Sequence, residues 1–187
     1  MVKIGTEIES PQTGERLIFR STADSSNGQL FRAELVAQPG PYVVRAHLHP
    51  SQEESFVVLE GAFGYQIGDR SGVGKPGDTL VCPVGVPHSQ WNAGDGILRI
   101  YYEHRPALTS AEIFFETQFG LSREGRLSSK GDLNLLQAAV LLREVGDFIR
   151  PPSPPIAVQN VLFPLLAAIG HMRGYRARYP KYALPTE

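Results

Sequence analysis

Two short stretches hold residues that could do chemistry together. The first, His47-Leu48-His49-Pro50-Ser51-Gln52-Glu53-Glu54, sets two histidines two positions apart. Side chains alternate along an extended segment, so both imidazoles project from one face. Pro50 and Ser51-Gln52 interrupt that segment, and Glu54 opens the apolar run Phe56-Val57-Val58-Leu59, which predicts a new antiparallel strand carrying a carboxylate to the same face. The second stretch, Gly77 to His88, places a third histidine after a strand and the turn Pro83-Val84-Gly85. Three of the five histidines in the chain fall inside these two stretches. Neutral imidazole nitrogens and a carboxylate oxygen converging in apolar surroundings are ligands for a divalent transition metal.

These residues resemble the two motifs of the cupin superfamily. Gly40, His47, His49, Glu54 and Gly61 fill the first motif with the spacing Gly-x6-His-x-His-x4-Glu-x6-Gly, and Gly77, Pro83, Gly85, His88 and Asn92 fill the second. Fifteen residues, 62 to 76, separate the two, and the resemblance covers about residues 28–104. It implies a mainly β fold, a cupin jelly-roll β-barrel (double-stranded β-helix) over residues 1–105, with residues 106–187 as a C-terminal α-helical extension outside it. It also implies that His47, His49, Glu54 and His88 bind one divalent metal: iron, nickel, zinc, manganese or copper. Glu53 is the alternative carboxylate, but Glu54 keeps the spacing to Gly61.

Composition bounds the rest. A chain of 187 residues, 42% hydrophobic and 20% charged, can bury one sizeable core. A net charge of -1 gives no reason to expect nucleic acid as a partner, and no helix-turn-helix segment precedes the barrel. The lone Cys82 excludes an internal disulfide framework and suits a reducing compartment. The N-terminal residues show no secretory pattern and no run of eighteen apolar residues occurs, so the expectation is a cytoplasmic protein off the membrane.

The elements that must position the site follow from punctuation and period. Pro11-Gln12-Thr13-Gly14 and Ser25-Ser26-Asn27-Gly28 read as turns between short strands, and Leu30 to Gln38 as a strand. Tyr42 to His49 is the expected strand for the first two ligands, with Val44, Ala46 and Leu48 as an apolar reverse face. A second sheet layer or a second subunit should cover that face, so a homodimer paired through its sheets is expected. Strands at 54–60, 62–67, 79–82, 88–91 and 97–104 follow, with the glycine-rich 68–77 as a hairpin turn. Its glycines lack phosphate-loop spacing.

Beyond Pro106 the period becomes helical. Thr109-Ser110-Ala111-Glu112 is a capping-box pattern opening a short helix that ends at Gly120. Leu133 to Val145 is a second helix, Pro151-Pro152-Ser153-Pro154-Pro155 a stiff linker, and a third runs from near Pro155 towards Tyr175 with Pro164 inside it. The tail should dock on the barrel or across a dimer; a peripheral membrane helix and a partner-binding helix pair are the alternatives.

Around the ligands, Cys82 reads as an inert core thiol, Gln90 as a cavity-lining residue on the parity of His88, and Asn92 and Gly85 as turn residues. Tyr101 and Glu103 share parity with Arg99 on the last strand, and Trp91 reads as core or interface. No second buried histidine is marked as an acid or base. The family spans dioxygenases, isomerases and binding proteins, so fold does not fix function. Two readings stand: a metal-dependent, oxygenase-type enzyme on a small organic molecule, or a non-catalytic small-molecule or metal-binding module whose helical tail holds a partner.

Overall fold

The computed structural model describes residues 2–186. Its β elements are β1 (Glu7–Ser10), β2 (Glu15–Ser21), β3 (Phe31–Ala37), β4 (Glu53–Glu60), β5 (Phe63–Ile67), β6 (Arg70–Gly74), β7 (Thr79–Cys82), β8 (His88–Asn92) and β9 (Leu98–Arg105). Three helices follow: α1 (Thr109–Arg123), α2 (Leu135–Glu144) and α3 (Ile156–Met172), with a short 3-10 turn at Pro180–Tyr182. One sheet runs β1-β2-β3-β9-β4-β7 and faces a second, β6-β5-β8, all pairings antiparallel. This is the mainly β jelly roll with a helical C-terminal region that the sequence implied. Closing two sheets on each other buries one face of every strand.

Alternation tells the two faces apart. In β9, Leu98, Ile100, Tyr102 and His104 point inward and are buried. Their neighbours Arg99 and Glu103 lie on the outer face, in an ionic row across the large sheet. Glu34 sits between Arg20 and Arg99 at 2.6 and 2.7 Å, and Glu103 takes Arg105 at 2.6 Å. Arg32 lies 5.2 Å from the ring centre of Tyr101 on the same face. Arg99, Tyr101 and Glu103 therefore belong to the outer surface and not to the cavity.

Three local expectations change. The glycine-rich stretch 68–77 is not all turn: Ile67 pairs with Arg70, so Gly68-Asp69 is the two-residue turn and β6 continues beyond it. Helix α1 does not stop at Gly120 but runs to Arg123. Gly120 is there because the Tyr182 ring lies so close that an added Cβ would sit 2.3 Å from it. The capping box also fails, since α1 has no side-chain cap at Leu108. Glu112 instead accepts hydrogen bonds from the amides of Val2 and Ala23, at 3.2 and 3.1 Å. A tertiary use of the carboxylate outcompetes the local one.

The segment expected as a regular strand over 42–49 is extended but makes only isolated pairings, Val43 with Trp91 and His47 with His88. Three residues separate Val43 from His47 while two separate His88 from Trp91, so this segment carries one extra residue, a bulge. The bulge breaks the alternation. Val44 lines the interior, Ala46 is exposed, and only Leu48 keeps the expected outward cover. That cover comes from this chain itself: Leu48 and Arg150 exchange both backbone hydrogen bonds at 2.9 Å. The apolar reverse face on which a sheet-paired dimer was argued therefore does not exist as one surface.

A hydrophobic core fills the space between the sheets and continues into the helices. Phe31 stacks on Phe115 of α1 at 5.8 Å, and Phe148, between α2 and α3, is fully buried. α2 and α3 pair as a hairpin. On α3, however, Val161 and Leu165 are 66% and 62% exposed, with Val158, Ile169 and Met172 also exposed along the same stripe. The expectation that the tail would dock on the barrel holds for α1 and the core-facing side of α2, while this face of α3 has no cover from the described residues.

A candidate metal centre between the sheets

The site is built from both walls of the barrel. On the large sheet, Glu54 of β4 pairs with Cys82 of β7 on one side and His104 of β9 on the other. Residues directly opposite in adjacent strands share a face, so His104, Glu54 and Cys82 form one inward row. Against them stand His88 of β8 and His47, whose backbones exchange hydrogen bonds of 3.0 and 2.8 Å. His49 follows His47 two residues on. Gly61, closing β4, takes φ +85°, and an added Cβ would lie 2.5 Å from the Ile97 carbonyl oxygen. That close approach lets β4 turn sharply into β5.

All four expected ligands converge. His47, His49, Glu54 and His88 are buried, and one ligand atom from each lies within 4.8 Å of all the others. Glu54 Oε2 is 2.5 Å from His88 Nε2 and 3.3 Å from His49 Nε2. The Nε2 atoms of all three histidines and both oxygens of Glu54 have no hydrogen-bond partner. Buried polar atoms are normally paired, because an unpaired one costs about 1–3 kcal/mol. Several such atoms gathered around one centre form a donor set that a cation would satisfy. Glu53, the alternative carboxylate, is exposed.

The other ring nitrogen of each histidine is held. His47 Nδ1 lies 2.8 Å from the Arg45 carbonyl, His49 Nδ1 2.5 Å from the Phe148 carbonyl, and His88 Nδ1 3.0 Å from the Val86 carbonyl. A carbonyl only accepts, so each Nδ1 carries hydrogen and donates, leaving the Nε2 lone pair for the centre. This arrangement fixes tautomer and ring orientation as metal-ligating histidines require. Cys82 Sγ also lies 2.8 Å from His88 Nδ1, which gives that thiol a contact with the site beyond core filling.

The charges in this buried pocket act strongly on one another. Burial alone would raise the Glu54 carboxyl, yet the adjacent His88 and His49 hold it well below the usual carboxylate range. Burial pushes His88 down, but the Glu54 charge beside it prevails and raises it to about 10, so without a cation this ring holds a second proton on Nε2, which a bound metal would displace. His47 falls to about 3, first through burial and then through the neighbouring His88 charge. One carboxylate thus concentrates the negative potential of a site otherwise made of nitrogen donors.

One buried residue beside this centre was not singled out from the sequence. His104 is fully buried, neither ring nitrogen has a partner, and Nε2 stands 3.8 Å from Glu54 Oε1. Burial drives its pKa well below the ordinary value, so it is a neutral imidazole. The last strand's inward parity, through Ile100 and Tyr102, marks it, whereas Tyr101 and Glu103 have the outward parity. Beside the centre, a small chamber of about 70 Å³ is lined by His47, Gln90, Tyr102, Glu15 and Tyr42 among others. Gln90 behaves as expected: it is buried and its amide oxygen is unpartnered. Burial raises the Glu15 carboxyl to about 7 despite a 2.8 Å hydrogen bond from Thr13. Asn92 ties the turn after β8 to the Ala37 and Gly96 carbonyls, a structural role.

A family model described as a cupin domain matches residues 33–102, which span β3 to most of β9 and include all four converging residues. No curated protein matches the chain. Among solved structures it is similar to KdgF from a Halomonas species, at 17% identity over 56% of this chain and 91% of that one, with a TM-score of 0.49. It is similar also to a predicted oxalate decarboxylase from Thermotoga maritima, at 19% identity, 58% and 99% coverage and a TM-score of 0.48. A third is an RmlC-like cupin from Shewanella frigidimarina, at 22% identity, 55% and 85% coverage and a TM-score of 0.46.

Proposed function

We propose that this chain, whose residues 33–102 match a cupin domain, is a metal-dependent enzyme, of oxygenase type, acting on a small organic molecule. One divalent transition-metal ion is held by His47, His49, Glu54 and His88. The observation that carries this reading is the set of unpartnered, buried ligand atoms facing one centre while every Nδ1 is tied back to a carbonyl. Three imidazoles and a carboxylate suit iron, nickel, zinc, manganese or copper. Such an ion supplies Lewis-acid or redox chemistry to a substrate oxygen.

The protein's own groups then have separable tasks. The Gln90 amide oxygen accepts a hydrogen bond from a substrate donor and orients it. Glu15, with its carboxyl near 7, exchanges a proton in the chamber close to neutral pH. Tyr102, whose hydroxyl is raised well above its ordinary value by burial and the Glu54 charge, keeps its proton and can donate it in a hydrogen bond. Phe114, Phe115 and Phe119 line the same chamber and exclude water from it.

The exposed stripe on α3 favours a second reading, a non-catalytic small-molecule or metal-binding module whose helical tail engages a partner. Metal analysis of protein purified without chelator, followed by dioxygen uptake over a panel of small organic compounds, separates the two. One metal per chain with substrate-dependent uptake supports the enzyme. Metal without turnover of any kind supports the module, and absence of metal under metal-replete expression sinks the site.

A further inference from the structure

The chamber beside His47 does not end at the barrel wall. Directly beyond it lies a cleft of about 600 Å³ between the barrel mouth and the helices. The chamber and the cleft share Tyr42, Val44, His47, Phe114, Gln118 and Ile149, side chains that face both spaces and stand between them. On the helical side the wall is apolar: Leu133, Ala138 and Leu142, with Leu162, Phe163 and Leu166 of α3. The polar groups Glu15, Gln90 and Tyr102 lie only in the chamber. The two cations at the cleft rim are engaged. Arg45 makes two 2.6 Å bonds to Asp132, and Arg150 reaches Gly146 and Asn160 at 2.8 and 3.0 Å.

We propose that the ligand of this site is an amphipathic small molecule, with a compact oxygen-bearing head in the chamber beside His47 and an unbranched apolar body lying in the cleft between the barrel and α2–α3. This rests on the metal-site reading for the head alone; the body is placed by the cleft. The chamber has room for only two or three water-sized groups, so a carboxylate, hydroxyl or carbonyl fits and a sugar or ring system does not. The cleft has the volume of a site for a whole organic ligand and offers almost nothing for a polar body to bond. Because α2 and α3 supply its far wall, the helical region defines ligand choice and is not merely a cover.

The test is calorimetric titration of the full-length protein, metal-loaded and metal-free, with straight-chain carboxylates from butanoate to decanoate. Affinity should rise about fourfold per added methylene until the cleft is full. Ala138→Phe, on the cleft wall and partly exposed, should abolish the gain for octanoate and decanoate, leave butanoate unchanged, and leave the melting temperature near that of the wild type. Affinity independent of chain length, or a chain-length gain that Ala138→Phe does not remove, overturns the proposal. Metal content, measured on the same samples, reports on the metal reading separately. If no metal binds, the chain-length dependence should persist in the metal-free protein. If metal binds and the dependence is absent, the cleft inference alone fails.

Discussion

The His49 ring is held by the backbone carbonyl of Phe148, 2.5 Å from Nδ1 and 99 residues away along the chain. The Phe148 ring in turn packs 4.9 Å from both His49 and His104. The segment joining α2 to α3 is thus part of the wall of the site. Its Arg150 pairs with Leu48, so both neighbours of one peptide stretch are fixed by the same connection. A region outside the cupin motifs supplies the partner that orients a motif histidine.

Phe148→Ala is expected to damage both stability and metal binding. Removing a fully buried phenylalanine costs about 3–5 kcal/mol through lost burial and the cavity left behind. The loosened backbone also stops fixing the His49 tautomer, and loss of such a partner lowers metal affinity about 10–100-fold. Denaturant unfolding and a competitive metal titration read the two effects. A destabilised protein with unaltered metal affinity would separate Phe148 from the site.

What was legible in the sequence was the part written in local pattern. The His-x-His pair, the placement of Glu54 and His88, and the strand sequence through β9 all depend on alternation and turn residues. What was not legible depended on contacts across the chain. The bulge at 43–47 has no punctuation of its own, so Val44 was assigned to the wrong face. Glu112 sits in a capping pattern, but long-range amides claim it. His104 is a single residue at a strand end, and only the register of β9 beside β4 brings it to Glu54. For α3, its apolar composition pointed to burial, whereas the structure leaves Val161 and Leu165 in the open.

His49→Ala is expected to remove the metal response. Ligand binding to the folded state at one hundred times its Kd stabilises by about 2.7 kcal/mol, which for a chain of this size is a rise in Tm of about 5–10 °C. The wild type should show that rise with added metal, and His49→Ala should not. Differential scanning calorimetry with and without a chelator measures it, and an equal rise in the variant removes His49 from the ligand set.

Glu15 gives the stability a pH dependence of defined sign. Its carboxyl is raised by burial from 4.5 to about 7, so between those values the folded state binds more protons than the unfolded one. Stability must therefore fall as pH rises through that window and level off above it, by an amount of the order of 1–3 kcal/mol. Glu34 and Glu103, lowered in part by the arginines bonded to them, act oppositely and below that window. Glu15→Gln should remove the decline between pH 4.5 and 7. Parallel stability curves for the two proteins across that range would show that Glu15 does not carry it.

The stripe on α3 makes a prediction against composition. Val161→Glu and Leu165→Glu replace residues that are 66% and 62% exposed, so the fold should lose no more than about 0.5 kcal/mol. Sedimentation then tells what the face does. If two copies pair through it, the wild type is a dimer and the double variant a monomer with an unchanged far-ultraviolet spectrum. A large loss of Tm in the monomeric variant would instead show that the side chains are core.

His104 offers the sharpest test of whether the site was built for a bound cation. With both ring nitrogens buried and unpartnered, the imidazole burdens the metal-free fold by about 1–3 kcal/mol. His104→Leu has similar bulk and no polar atom, so the metal-free protein should become more stable. In the presence of metal the sign should reverse. Nε2 stands 3.8 Å from Glu54 Oε1, near enough for a small shift to bring a hydrogen bond to the carboxylate once Oε2 faces a cation. Losing that partner should weaken metal binding about tenfold. The measurement is a pair of melting curves, with chelator and with metal, for wild type and variant. A variant destabilised equally in both conditions would make His104 an ordinary packing residue. Stabilisation without metal combined with a smaller metal-induced rise makes it a positioning residue for Glu54.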